Sequence, residues 1–225
     1  MSKPDIMFFL SWGEIFSTNG RVSAEYPLDV LILLASWFAL PAAPAAGKTK
    51  DSFHAPGMML IDAGLACNSP YPLVLHPSRQ VDIIISFDFS NRDDDDNWPF
   101  KHLVKAERWA KEKNVCFPEI ENKLKALNIR EEHQRSDYEE VYVFEGPNSP
   151  TIVHFVLINK SFKKDYPARN FRIFPDYGTF RFYYAKEEFD RLKLLVRHNI
   201  IENRQKIIDC LNKKIQQKQS DKHRK

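Results

Sequence analysis

Glycine is scarce, with seven in 225 residues, about half the usual share. None of the seven falls in a G-x-G-x-x-G or P-loop pattern, which argues against a phosphate-cradling loop. Cysteine is scarcer still: Cys67, Cys116 and Cys210 are odd in number, far apart and without a C-x-x-C pair. That usage reads as a reducing compartment, three free thiols and no zinc site. An excess of one charge is also missing, since the formal net charge is only +3, too little to imply nucleic-acid binding. No apolar run reaches membrane length. The strongest, Val30–Leu40, is stopped by Pro41 and Pro44 before the roughly 20 residues a bilayer needs, so it reads as a buried or interfacial helix. Met1–Ile6 lacks the charged and apolar regions of a secretory signal.

What is present suits one folded domain. Hydrophobic residues at 43% can bury a substantial core, and 28% charged residues with 13% aromatics argue against disorder. The positive charge is local. Six Lys or Arg against Asp221 give residues 212–225 a net of +5, which leaves the rest slightly acidic.

The chain is organised around Met58–Ser90. Two apolar runs, Met58–Ile61 and Val81–Ile85, each pass into an Asp-bearing turn, the place where α/β folds put chemistry. In Asp62-Ala-Gly-Leu65 a small residue and a glycine let the chain turn sharply after a strand; the plainer alternative is that Asp62 caps a turn or helix. Between the runs, Asn68–Tyr71 and His76–Arg79 are turn-rich and punctuated by proline.

Further elements follow from spacing. Pro41–Lys50 reads as an Ala/Pro linker and Phe8–Phe16 as a short amphipathic segment. Asn91–Asn97 carries four consecutive aspartates without the alternate spacing of a calcium loop, so it reads as a solvated loop with no ion. Pro99–Asn114 and Glu119–Arg130 have helical spacing, and Glu131–Glu140 reads as polar surface. Val141–Phe144 and Thr151–Ile158 flank a Gly146–Pro150 turn as a hairpin, with His154 a core or edge histidine lacking an acid or thiol partner. Lys160–Asp176 reads as loop, Thr179–Tyr184 as an edge strand, and Lys186 onward as a long C-terminal helix broken near Asn199. Strands mixed with helices in this order predict an α/β layer fold.

Leu60–Leu65, Pro70–Leu73, Val81–Ser90 with its Ser86-Phe-Asp-Phe-Ser90, Lys101–Pro118 and Thr151–Asn159 together resemble the cytosolic (group IV) phospholipase A2 family. The likeness runs from Phe53 to Leu211, with a fainter echo at Ser11–Ser17, and leans toward the calcium-independent gamma branch. It implies a partial catalytic domain with a patatin-like layered sheet. The implied boundaries are an N-terminal apolar helical segment and linker at 1–50, the catalytic portion at 51–211 and a basic tail at 212–225. It also implies hydrolysis of the sn-2 acyl ester of glycerophospholipids by a Ser–Asp dyad, with no cofactor and no metal in the chemistry. Asp62 matches the dyad aspartate. Arg79 matches an arginine near the substrate site, where it would attract the lipid phosphate or hold the dyad's electrostatics; the alternative is a surface ion pair with Asp82 or Glu107. His76 stands where one branch has a further arginine, and Asn68 and Tyr71 match loop residues able to shape the pocket mouth, with no role beyond structure expected of them. The expected location is cytosolic, with peripheral contact to a glycerophospholipid surface through the basic tail or through Phe8, Phe9, Trp12 or Trp37. No nucleic acid partner, membrane span or C-terminal lipidation motif is expected. No serine of the chain lies in G-x-S-x-G and no glycine-rich stretch precedes Asp62. The chain therefore reads as a C-terminal portion holding only the aspartate, inactive alone, or else as a non-catalytic lipid- or partner-binding module.

Overall fold

Two β-branched runs, Ile83–Asp88 and Thr151–Val156, are buried along their whole length, as parallel strands covered on both faces must be. They form the centre of the sheet. The structure, a computed structural model, describes residues 6–11, 69–131, 137–165, 170–174, 176–178, 181 and 183–223. The expected strand at Met58–Ile61, the apolar run at Val30–Leu40, the Pro41–Lys50 linker, Asp62, Cys67 and Asn68 lie outside these residues.

The strands are β1 (Ile6–Ser11), β2 (Ile83–Asp88), β3 (Val141–Phe144) and β4 (Thr151–Val156), in the order β1-β2-β4-β3. β1 and β4 both run parallel to β2, and β3 closes the hairpin antiparallel to β4. Ile6–Ser11 is thus a strand rather than the amphipathic segment expected at Phe8–Phe16. Helices are α1 (Tyr71–Val74), α2 (Lys101–Glu112), α3 (Ile120–Ala126), α4 (Ser161–Asp165), α5 (Lys186–Glu202) and α6 (Arg204–His223), with a 3-10 turn at Pro77–Arg79.

Alternation along the strands sorts two cores. Ile84, Tyr142, Phe144, Ile152 and Val156 meet α1, α2 and α3 on one face. Ile83, Ile85, Phe87, Val153 and Phe155 meet Phe162, the 171–177 loop, α5 and the start of α6 on the other. Burying one such side chain contributes roughly 1.5–3 kcal/mol.

Asparagine does glycine's work at the helix ends. Asn114 (φ 53°) and Asn128 (φ 55°) take the left-handed position after α2 and α3. The next residues donate back across the turn, Val115 N–H to Ala110 O and Ile129 N–H to Leu124 O, both 2.9 Å. These are Schellman closures, with Ile129 packed in the same core as Leu124. The α3 N-terminus has no local cap. Instead Glu107, buried on α2, accepts the Glu121 N–H at 2.9 Å and pairs with Lys111 at 2.7 Å, a carboxylate at the positive helix end.

Several expectations need correction. Residues 160–176 contain α4 within the expected loop. Arg181, Tyr183 and Tyr184 are in no strand. Tyr138 and Glu140 are buried rather than surface residues. The C-terminal helix breaks at Asn203, not Asn199. Asn199 keeps its helical place because its side-chain amide donates to Ile158 O at 2.8 Å, so its polar group is used without breaking the backbone ladder.

Candidate functional site

The C-terminal ends of β1, β2 and β4 share one edge of the sheet, the edge where open α/β folds bind ligands. Asp88 ends β2 there, nearly buried, and accepts the Ser90 N–H at 2.9 Å. Half-buried Arg92 donates to Leu157 O at 2.8 Å and lies 4.8 Å over the Phe174 ring. Burial lowers its pKa, and Asp88 and Asp95 oppose that. Asp95 accepts from the Ile173 and Phe174 N–H groups at 2.8–3.0 Å, while Asp94 pairs with Arg172. The aspartate run is therefore not simply solvated: it clamps residues 172–174. Among the described residues no group of three metal-ligating side chains could hold an ion.

Asp62 and Asn68 lie outside the described residues. Arg79 ends the 3-10 turn just ahead of β2, exposed. Neither proposed partner holds it: Asp82 pairs with Lys218 and Glu107 with Lys111. His76 is exposed and shares a 2.7 Å hydrogen bond with Ser78 Oγ. Tyr71 is fully buried, edge-to-face on Phe117 at 5.3 Å, so it belongs to the core rather than to a pocket mouth. Cys116 and Cys210 are free thiols, and burial raises the Cys210 pKa.

Two serine–histidine pairs escaped the sequence reading. Ser86 Oγ and His154 Nδ1 lie 2.9 Å apart on paired positions of β2 and β4. A hydroxyl against an imidazole has the composition of a nucleophile and its base. Both residues are 0% exposed, however, and His154 Nε2 has no partner among the described residues. Burial lowers the His154 pKa to about 4, with a smaller opposing pull from Asp88. This is a neutral core pair. The signal that could have found it is positional, since both residues are polar interruptions on the same side of two apolar strands. The second pair, Ser161 Oγ with His198 Nε2 at 3.0 Å, has Asp165 Oδ2 3.9 Å from that same nitrogen. A relay needs the acid on the other ring nitrogen, so Asp165 does not stand as the acid of a triad.

The opposite edge holds a polar groove of about 930 Å³ between α6 and the β3–β4 turn. It lies where the parallel strands begin, away from the ligand edge, so it is a poor active site. Its walls show what the basic tail does: Lys213 pairs with Glu145, Lys218 with Asp82, and Lys214 donates to Ser149 O at 3.4 Å. Residues 212–223 continue α6 across the 211/212 boundary. Among the described residues no helix is long and apolar enough to cross a membrane.

No family profile matches the chain. A mouse relative, cytosolic phospholipase A2 zeta, is 36% identical over an alignment 172 residues long that covers 68% of this chain and 19% of the relative. The chain thus spans about a fifth of that relative's length. Human GIVD cytosolic phospholipase A2 superposes with a TM-score of 0.55 at 25% identity, covering 69% of this chain and 21% of that one. Its complex with methyl gamma-linolenyl fluorophosphonate and terbium chloride gives 0.54 at 24% identity, over 73% of this chain and 25% of that one. The α/β fold is the one those structures share. By sequence and fold, this chain belongs to the cytosolic (group IV) phospholipase A2 family.

Proposed function

We propose that residues 51–211 are part of the catalytic domain of a phospholipase A2 acting on the sn-2 ester of glycerophospholipids, with Asp62 as the aspartate of a Ser–Asp dyad. The observation that carries this reading is the 36% identity over 172 residues to a phospholipase A2, joined to the Asp62-Ala-Gly-Leu65 motif. In this mechanism the serine oxygen attacks the ester carbonyl and its proton passes to the Asp62 carboxylate. The ester C–O bond then breaks, the proton goes to the departing lysophospholipid alkoxide, and water releases the fatty acid from the acyl-serine. A carboxylate at a strand end serves as base when partial burial brings its pKa toward the working range. Arg79, exposed and without an ion pair among the described residues, is suited to draw in the lipid phosphate as a fixed cation. No metal takes part, in keeping with the gamma-branch likeness, and the protein works in the cytosol, meeting lipid at a membrane surface. Lysophospholipids, having the same ester class, are further substrates.

A second reading rests on one observation: no serine of the chain stands in G-x-S-x-G. On that reading the chain is a catalytically silent lipid- or partner-binding module. A fluorophosphonate probe separates the two. The 225-residue chain is expected to stay unlabelled. A longer form bearing the serine motif is expected to label, and to lose roughly 10³-fold or more in kcat on Asp62→Asn. A longer form that bears a serine motif yet neither labels nor hydrolyses would favour the silent module.

A further inference from the structure

The face that α6 turns toward the body changes chemistry halfway along. Ile207, Cys210 and Leu211 pack into the second core. Past Leu211, no described residue of the helix belongs to either core. From there the attachments are ionic or polar: Lys213 to Glu145, Lys214 to Ser149 O, Lys218 to Asp82. Lys214, Lys218 and Lys222 stand four apart, one stripe on the helix, and Lys222 is exposed. The half-buried Lys218–Asp82 pair is the firmer anchor, while an exposed lysine–carboxylate pair such as Lys213–Glu145 is worth at most roughly fivefold in an equilibrium constant. A lysine brought to an anionic leaflet gains roughly the same factor. Four lysines of the arm brought to the leaflet, Lys213, Lys214, Lys218 and Lys222, therefore offset the loss of its two carboxylate partners.

We infer that the distal half of α6, Lys213 to Lys222, is a detachable basic arm for an anionic bilayer, held closed on Asp82 and Glu145 when no such surface is near. This rests on the reading that the protein meets a glycerophospholipid surface. Charge complementarity selects the occupant. Residues 212–225 carry a net of +5 while the remainder of the chain is slightly acidic, so the arm alone is attractive to anions. A flat leaflet can take one basic arm at its surface while the acidic body stays in solution. A nucleic-acid duplex that engaged more of the protein would be repelled by the body. Asp82 and Glu145 then act as internal stand-ins for headgroup phosphates and limit how tightly the arm binds.

The test uses the full chain, phosphatidylcholine vesicles with and without phosphatidylserine, and two readouts: flotation, and zero-length carbodiimide cross-links mapped by mass spectrometry. Without anionic lipid, Lys218–Asp82 and Lys213–Glu145 cross-links are expected. With phosphatidylserine vesicles both are lost as the protein floats. Asp82→Asn with Glu145→Gln is expected to tighten that binding by roughly fivefold, and K213Q/K214Q/K218Q to abolish it. Circular dichroism checks that each variant is folded. Flotation with the cross-links intact, or with no gain in the Asp82/Glu145 variant, overturns the closed arm and leaves the lipid-surface reading standing. No flotation by any variant overturns both, whatever the fluorophosphonate result. Tighter binding to an RNA duplex than to phosphatidylserine vesicles overturns the bilayer as partner.

Discussion

Ser86 and His154 face one another in the sealed core beneath Phe100, whose ring centroid lies 6.1 Å from the imidazole. The energetic consequence is a pH dependence of folding. In the unfolded chain the imidazole titrates near 6.5, and burial holds it at about 4 in the native state. As pH falls, the unfolded state therefore takes up the proton first. The contribution is fully present above pH 6.5 and is lost progressively down to about 4, where both states are protonated. The loss is about 3 kcal/mol for a shift of that size. His154→Gln keeps a group able to bond Ser86 but does not titrate. Urea unfolding is expected to show the native advantage over this variant shrinking by that amount between neutral pH and about pH 4. Asp62 is the candidate that could be picked from the sequence, because the apolar run, the small residue and the glycine are contiguous there. Glu107 and Asp95 could not be read in that way. Their partners lie 14 and 78–79 residues away along the chain, and nothing local marks a carboxylate as a tertiary cap.

Among the elements, the hairpin and the first Schellman-ended helix were legible to within about two residues, because turn chemistry and periodicity are local, while the second was expected to run four residues further than it does. The expected helix at Pro99–Asn114 is α2 at Lys101–Glu112, and Glu119–Arg130 is α3 at Ile120–Ala126. Their ends explain how a glycine-poor chain still turns: asparagine tolerates the left-handed region better than other side-chain-bearing residues. Asn128→Ala is expected to cost about 1 kcal/mol, and Asn128→Gly to be neutral or stabilising by a few tenths, read from urea midpoints. Equal midpoints for the two variants would show that φ at this position carries no strain. α4 was illegible for the opposite reason. Five residues cannot nucleate a helix by propensity; Phe162, buried in the second core, and the Ser161 N–H donated to Glu140 at 2.9 Å hold it.

At the scale of the whole molecule, both cores lean on the same two central strands, β2 and β4, which carry alternate residues into each. A cavity opened on either face should therefore weaken one cooperative unit. Leu103→Ala in the first core and Leu195→Ala in the second, both residues 0% exposed, are each expected to cost about 2–5 kcal/mol. In both variants near-UV and far-UV circular dichroism should follow one shared urea transition. Separate transitions in either variant would mean that the faces fold independently.

The α/β class, the main helices, the hairpin and the family likeness were all determined by the sequence, since each rests on contiguous residues whose periodicity and turn chemistry act over one or two turns of chain. Tertiary structure alone decided that β1 joins β2, that the aspartate run clamps residues 172–174, that Ser86 meets His154, and that the lysines of α6 close on Asp82 and Glu145. Those pairings join residues roughly 70 or more positions apart, and charge or hydroxyl chemistry says only that a partner is needed. Which partner it finds is set by how the two cores bring distant segments together across one sheet.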